Sequence, residues 1–220
     1  MNKIIIDRAL NLLSQSRPIF WSEADFQFAF AEALRQFLPH ASIRLERPYT
    51  FAQKDICHYD IWIEEDGKVY PIELKYKTSL ATCTYNNETF QVKEQSAFDE
   101  GRYDCVYDIK RIEDLKNVLQ NFGEGYTVIL SNSKKYYDVP NSSVTTMDQD
   151  FRIHQGEILS GLRKWIKKPN AKKVINGDRG NRKQIILKGS YTIDWNHYSI
   201  ILDDNQVTHH HFKYCVNVIK

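Results

Sequence analysis

Two carboxylates and one lysine lie near one another in a short stretch of the chain. Asp60 belongs to the extended segment 59–63, and Glu73 and Lys75 belong to the segment 69–77. Residues two apart on a strand share a face and lie about 7 Å apart, which places Glu73 beside Lys75. Carboxylate oxygens suit a hard divalent cation such as Mg²⁺, and a nearby lysine can orient water or neutralise charge on a phosphate. The residue types therefore indicate metal-assisted attack of water on a phosphate group.

A β-hairpin is the element that must bring these side chains together. Ile61 and Ile63 alternate with their neighbours in the first segment, as expected for a half-buried strand. The second segment also alternates, so Glu73 and Lys75 share the face opposite the apolar side chains. The tripeptide Glu65-Asp66-Gly67 separates the segments and predicts a hairpin turn. Folding this hairpin carries Asp60 towards the other two residues.

The pattern of Asp60, a spacer and Glu73-Leu74-Lys75 resembles the PD-(D/E)XK nuclease superfamily, the fold of many restriction endonucleases. The resemblance implies that Asp60 and Glu73 bind Mg²⁺ or Mn²⁺ and that Lys75 is the catalytic lysine. The carbonyl of Leu74 often adds a metal ligand in that family. Tyr59 stands where the motif name has proline, although members vary at this position. The alternative is that Glu73 and Lys75 form only a surface ion pair, which contributes less than about 1 kcal/mol.

An acid on a preceding helix is a further candidate for the site. Ser22 has the N-cap position of a helix that extends to about Phe37 and stops before Pro39. Glu23 falls at the edge of the apolar stripe of this helix, whereas Glu32 falls on the opposite side. Such an acid recurs in PD-(D/E)XK sites, so the resemblance makes Glu23 a third metal-ligand candidate. The alternative is that Glu23 only interacts with the positive end of the helix dipole.

The remaining elements predict an α/β fold. A helical region is expected over residues 88–120, with a first part that ends near Gly101 and a second that begins at Asp108. A buried strand follows at residues 125–130. The order helix, three-stranded meander, helix, strand is that of the restriction-endonuclease-like core, in which helices flank a mixed central sheet.

The last third of the chain is predicted to be a C-terminal extension. Residues 1–140 form the nuclease-like core in this interpretation, and residues 141–220 form a β-rich extension that packs on it. A short helix is expected at residues 157–166, and several strands follow from residue 184 onwards.

Residues 163–188 contain ten basic residues and one acid, and so carry a net charge of +9. Because the whole chain carries +2, the remainder carries −7. Such asymmetry is typical of a segment that contacts nucleic-acid phosphates, and a solvated basic loop is the alternative. The predicted nucleic-acid-binding residues are Lys164, Lys167, Lys168, Lys172, Lys173, Arg179, Arg182 and Lys183.

The composition favours an ordinary globular protein. Hydrophobic residues make up 42% of the 220 residues and charged residues 26%, which supplies a core for one elaborated domain, or one with a tail. No run of about 18 apolar residues predicts a membrane span, and the first residues do not have the pattern of a signal peptide. The four cysteines show no Cys-x-x-Cys pairing, which favours reduced thiols in the cytoplasm.

The sequence and the resemblance together lead to the expectation of a metal-dependent nuclease that acts on DNA, with Mg²⁺ or Mn²⁺ as the cofactor. RNA remains an alternative substrate, a homodimer remains open, and no membrane partner is expected. The rival hypothesis is a catalytically inactive protein of the same fold that only binds nucleic acid. A protein-interaction module would leave the basic segment unexplained.

Overall fold

The structure is a computed structural model that describes residues 1–52, 55–140, 144–168, 174–205 and 207–220. It contains helices on both sides of a central sheet, together with three smaller two-stranded sheets. The helices are α1 (Lys3–Ser16), α2 (Glu23–Phe37), α3 (Phe98–Lys116) and α4 (Lys134–Tyr137), with a 3₁₀ turn at Gln149–Phe151. The strands are β1 (Ser42–Thr50), β2 (Ile56–Glu65), β3 (Lys68–Lys77), β4 (Ala81–Tyr85), β5 (Glu88–Val92), β6 (Gly125–Ser131), β7 (Ile158–Arg163), β8 (Val174–Ile175), β9 (Asp178–Arg179), β10 (Ile185–Thr192), β11 (Trp195–Leu202) and β12 (His209–Ile219).

The central sheet is mixed and has six strands in the order β1-β2-β3-β6-β12-β11. Neighbouring strands are antiparallel except for β3 and β6, which run parallel. A parallel pair needs a long crossover, and here the β4–β5 hairpin and α3 provide it. The fold is therefore mixed α/β, and β12 and β11 continue the same sheet beyond β6.

Alternation along β3 separates the two faces of the sheet. Leu74 and Tyr76 are buried in one hydrophobic cluster together with side chains of α1 and α2. Glu73 and Lys75 point to the other face, where they contact α3. This confirms the alternation predicted from the sequence, and it means that α3 covers the face that carries the polar side chains.

The predicted hairpin turn between β2 and β3 is confirmed. Glu65 pairs with Lys68, so Asp66 and Gly67 are the two turn residues. Both have positive φ, 49° and 72°, which is the backbone conformation that a two-residue hairpin turn requires.

The predicted helical region at residues 88–120 is wrong in its first part. Residues 88–92 form β5, which pairs with β4 across the turn residues Asn86 and Asn87, with φ of 51° and 64°. The Asn-Asn pair was the overlooked hairpin signal, because asparagine tolerates positive φ. Helix α3 then runs through Gly101 without a break, and this glycine lies against the ring of Tyr136.

The short helix predicted at residues 157–166 is also wrong. Residues 158–163 form β7, which pairs with β10 and buries Leu159. Pairing with a strand more than 20 residues later decides this conformation, and local periodicity does not contain that information. None of the helices in the described ranges is long and apolar enough to cross a membrane.

Candidate active site

Strands β2 and β3 separate at the position of the candidate site. Ile61 pairs with Ile72, and beyond this pair the carboxylate of Asp60 replaces the strand as hydrogen-bond partner. Asp60 Oδ2 accepts a hydrogen bond of 2.5 Å from the backbone N–H of Leu74. This hydrogen bond fixes the side chain of Asp60 at the edge of β3, next to Leu74, which is the residue between Glu73 and Lys75.

Glu23 reaches the same strand from α2. Ser22 caps the helix by accepting a hydrogen bond from the N–H of Asp25, so the helix begins at Glu23. The Oε2 atom of Glu23 accepts a hydrogen bond of 2.7 Å from the backbone N–H of Tyr76. The structure thus brings Glu23 to the strand of the candidate site, whereas Glu32 is exposed on α2.

Helix α3 supplies an ion partner to each polar side chain of β3. The Nζ atom of Lys75 lies 2.7 Å from Oδ2 of Asp108, and Oε1 of Glu73 lies 3.2 Å from Nη1 of Arg111. Asp108 and Arg111 also approach one another, at 3.5 Å. Their spacing of three residues places both on the side of α3 that faces β3. Two acids and two bases therefore form one buried network.

Glu73 is the most constrained member of this network. Its side chain has no exposed surface, and neither carboxylate oxygen has a hydrogen-bond partner within the described residues. Burial, followed by the negative charge of Asp108, raises the pKa of Glu73 well above its ordinary value, although Arg111 opposes the change. A buried carboxylate of this kind needs a proton or a cation at close range, and in this structure the Arg111 guanidinium is that cation.

Asp60 has a similar but smaller perturbation. Burial raises its pKa to about 6, while the hydrogen bond from Leu74 and the charge of Lys75 act in the opposite direction. The charges of Asp108 and Glu23 contribute to the same increase. The charge of Asp60 in turn contributes to the raised pKa of Glu73.

Lys75 remains an ammonium group at neutral pH. Burial alone would lower its pKa, but the charges of Asp108 and Glu23 outweigh burial and raise it. Its Nζ atom also donates a hydrogen bond of 3.1 Å to the carbonyl of Leu74. In this state Lys75 can stabilise negative charge and donate hydrogen bonds, and it cannot accept a proton.

Sequence reasoning missed three residues that support the site. Gln27, one helical turn after Glu23, donates hydrogen bonds of 2.7 Å to Glu46 and 2.6 Å to the carbonyl of Asp60. Its position four residues after Glu23 was the available signal. Asp108 and Arg111 gave a weaker signal, as charged residues beside an apolar helix stripe. Glu46 was open from the sequence between this patch and a surface pair with Arg44 or Arg47, and the structure places it against Gln27.

The arrangement can be compared with the needs of a metal ion. Within the described ranges, no three side chains of His, Cys, Asp or Glu come together in a group that could hold a metal. Mg²⁺ is usually bound by one or two carboxylates, with water and substrate phosphates as its other ligands. Asp60 and Glu73 provide two carboxylates next to one another on β2 and β3, and the oxygens of Glu73 accept no hydrogen bond within the described residues, although Arg111 lies 3.2 Å from one of them. Oε2 of Glu23 is already engaged with Tyr76.

Two arginines of the basic segment, Arg179 and Arg182, bind α3. Arg179 pairs with Asp99 and lies 3.7 Å from Glu100, and Arg182 lies 3.1 Å from Glu100 and 3.5 Å from Asp104. These contacts hold the first turns of α3. The predicted contact of both arginines with nucleic acid would compete with these ion pairs.

The lysines of the basic segment have a different environment. Lys164, Lys167 and Lys183 are exposed and Lys168 is partly exposed. Lys183 lies 3.2 Å from Asp178. Lys172 and Lys173 lie outside the described residues, so the prediction for them is not addressed by the structure.

The four cysteines are free; Cys83, Cys105 and Cys215 are buried, and Cys57 is partly buried.

The chain matches no family model, no curated protein and no solved structure. The interpretation of the site therefore depends on its own geometry and on the motif.

Proposed function

We propose that the protein is a nuclease that hydrolyses phosphodiester bonds in DNA with the help of Mg²⁺ or Mn²⁺. The observation that carries this proposal is the fully buried carboxylate of Glu73, for which the described residues provide one ion partner, Arg111 at 3.2 Å from Oε1, and no hydrogen bond. Asp60 accepts a hydrogen bond from the N–H of Leu74, the residue between Glu73 and Lys75, so all three residues meet at the same point of β3. A structural ion pair alone would not require a second carboxylate at this position.

The order of the elements supports the same proposal. Helix α2, the antiparallel meander β1-β2-β3, helix α3 and the parallel strand β6 follow one another in the chain. This is the order that the resemblance to PD-(D/E)XK nucleases implies. In this structure Asp60 of the second strand and the Glu73-Leu74-Lys75 segment of the third strand lie where these two strands separate.

Asp60 and Glu73 would hold the metal ion, and Glu23 adds negative charge at the strand edge. A bound Mg²⁺ or Mn²⁺ supplies Lewis-acid stabilisation of the phosphate and lowers the pKa of water. The hydrogen bond from Leu74 fixes Asp60, and Gln27 fixes the backbone of the same residue. Both contacts reduce the reorganisation needed for ligand binding.

Lys75 acts in this proposal as a fixed cation. Hydrolysis requires water to attack phosphorus, a P–O bond to break and negative charge to be stabilised on the phosphate oxygens. The protonated Nζ atom of Lys75 can donate a hydrogen bond to the attacking water or to a phosphate oxygen. Asp108 holds that atom at 2.7 Å and keeps it charged, so Asp108 is a positioning residue.

A second candidate function is nucleic-acid binding without cleavage. The contacts of α3 favour it, because Arg111 pairs with Glu73 and Asp108 pairs with Lys75. If these ion pairs persist when a nucleic acid binds, neither Glu73 nor Lys75 is available for chemistry. An active enzyme requires Arg111 to move away from Glu73 or to share it with the metal.

Cleavage assays distinguish the two functions. Plasmid and linear DNA are incubated with the native protein, with Lys75→Ala, and with Lys68→Ala as a control at the exposed start of the same strand. With Mg²⁺ or Mn²⁺ the native protein and Lys68→Ala should cut DNA, chelator should stop the reaction, and Lys75→Ala should lose about 10²-fold or more in rate.

Two other results would contradict the proposal. Equal rates for Lys75→Ala and the native protein would assign the cleavage to a contaminant. Binding of DNA without cleavage of any DNA or RNA by the native protein would favour the second candidate. Metal binding of Lys75→Ala, measured by calorimetry with Mn²⁺, should remain, because Lys75 does not ligate the ion.

A further inference from the structure

Strands β7 and β10 form a two-stranded antiparallel ribbon outside the central sheet. Its inner face buries Leu159, Ile185 and Leu187 in the hydrophobic cluster that includes the apolar residues of α3. Its outer face leaves three large apolar side chains in solvent: Ile158 is 53% exposed, Leu162 is 49% exposed and Ile186 is 58% exposed. The ribbon thus has one face that stabilises the fold and one face that the described residues do not cover.

The outer face also carries side chains that can form hydrogen bonds. Ser160 lies on β7, and Lys188, Ser190 and Thr192 lie on β10, and all four are exposed. On β7 Ser160 lies between Ile158 and Leu162, and on β10 the three polar residues follow Ile186. A face with this mixture can form hydrogen bonds to base edges and contact the methyl groups of thymine.

The ribbon is fixed firmly to α3. The pairing shifts between Leu187 and Ser190, and the buried carboxylate of Glu113 occupies this irregularity. Glu113 accepts hydrogen bonds from the N–H groups of Lys188 and Gly189 and from the hydroxyl of Tyr191. The outer face is therefore held in one orientation relative to α3, and it needs little ordering when it binds a partner.

The charges around the ribbon favour an anionic partner. Three lysines lie on or near the ribbon, and none of them has an ion pair among the described residues: Lys164, which follows β7, Lys167 and Lys188. The nearby acids are already engaged: Asp178 accepts from Gln184 and pairs with Lys183, and Asp150 accepts from the N–H of Lys164. Because a backbone N–H does not neutralise Asp150, three unpaired lysines stand against one unpaired acid within the described ranges, and the net charge of these groups is positive.

The ribbon and the candidate active site share one helix. Arg182, which precedes β10, contacts Asp104, and Asp108 one turn later pairs with Lys75. The major groove of DNA is about 12 Å wide and admits a two-stranded ribbon.

We propose that the outer face of the β7–β10 ribbon enters the major groove of double-stranded DNA. This inference rests on the proposed nuclease function and names its substrate class as duplex DNA. It also divides the basic segment in two. The lysines near the ribbon contact phosphates, whereas Arg179 and Arg182 hold α3.

Binding measurements without metal test the ribbon separately from catalysis. Duplex DNA and the corresponding single strand carry a fluorescent label, and their anisotropy is followed with Asp60→Asn as the background so that no cleavage occurs. The ribbon variant is Ile186→Glu with Lys188→Glu. The control is Ile200→Glu with Lys68→Glu, which makes the same charge change at an exposed isoleucine of β11 and an exposed lysine of β3.

The ribbon variant should lose about tenfold or more in duplex affinity relative to the control, and its salt dependence should weaken by about one unit of slope. Affinity for the single strand should change equally in both variants. A duplex whose cytosines carry a bulky sugar in the major groove should bind more weakly to the protein with the native ribbon. A ligand that occupies the minor groove should leave the duplex affinity of this protein unchanged.

Several results would overturn the proposal. Equal loss of duplex affinity in both variants would remove the ribbon from the interface, and so would binding that a minor-groove ligand abolishes. Loss of a dimer in light scattering, with duplex affinity kept, would assign the outer face to self-association. If the ribbon variant loses duplex affinity but the native protein never cleaves DNA, only the nuclease proposal fails. Cleavage that does not depend on the ribbon would reject the ribbon proposal alone.

Discussion

The raised pKa of Asp60 predicts that this residue destabilises the folded protein at neutral pH. Its pKa is about 6 in the fold and has an ordinary value of 3.8, so between these values the folded state binds more protons than the unfolded state. The free energy of unfolding must then decrease as the pH rises through this range. Asp60→Asn removes the titrating group, and its amide oxygen can still accept the hydrogen bond from Leu74. The variant should therefore be more stable than the native protein at neutral pH.

The size of the effect follows from the pKa difference. A shift of about two pH units corresponds to about 3 kcal/mol when fully expressed, at about 1.4 kcal/mol per unit. This value is an upper limit, and it already includes the attraction of Lys75, which lowers the pKa. For a chain of this size, each kcal/mol changes the melting temperature by about 2–4 °C. A stabilisation of several degrees is expected near pH 7, and almost none near pH 4.

Thermal or urea unfolding at several pH values with chelator measures this difference. Asp138→Asn, at an exposed position after α4, is the control for the same chemical change. The gap between Asp60→Asn and the native protein should widen from about pH 4 to about pH 7, while the control shows no such trend. Parallel curves, or a less stable Asp60→Asn at neutral pH, would refute the reasoning. Added Mn²⁺ should then stabilise the native protein and leave Asp60→Asn unchanged, because ligands stabilise only the state that binds them.

Two further predictions concern the partners of the site. Asp108→Asn should lower the rate of cleavage about tenfold and move the loss of activity at alkaline pH to lower pH, because Asp108 raises the pKa of Lys75. Asp108→Glu should restore part of the rate and part of the pH profile. An unchanged pH profile for Asp108→Asn would contradict the positioning role. Arg182→Ala should destabilise the fold by about 1 kcal/mol in urea unfolding through lost contacts with Glu100 and Asp104. Lys183→Ala, its exposed neighbour, should change stability by less than about 0.5 kcal/mol, and equal effects would show that the arginine contacts do not hold α3.

Local signals in the sequence were sufficient for the hairpin that carries the candidate site. The Asp66-Gly67 turn and the alternation around Glu73 were predicted, and the structure confirms both. Ser22 likewise marked the start of α2 correctly. Each of these features depends on neighbours within a few residues, so the sequence contains the necessary information.

Contacts between distant elements could not be predicted in the same way. Asp108 and Arg111 belong to the site only because α3 crosses the face of β3 that carries Glu73 and Lys75. The sequence shows two charged residues on a helix, and the register of the helix on the sheet decides what they face. The same reason explains why residues 158–163 form a strand, since β10 pairs with them from the far side of a long connection.

The basic segment shows why net charge is a weak guide to function without the fold. Residues 163–188 carry +9 in the sequence, and this excess alone predicts a nucleic-acid contact. The acids that pair with Arg179 and Arg182 lie about 80 residues earlier, at the start of α3, so the run of charge is partly neutralised once the chain folds. The lysines of this segment that have no ion pair among the described residues lie beside the β7–β10 ribbon. Folding therefore separates the basic segment into arginines that pair with α3 and lysines that remain without an ion pair in the described part of the chain, a division that net charge alone does not contain.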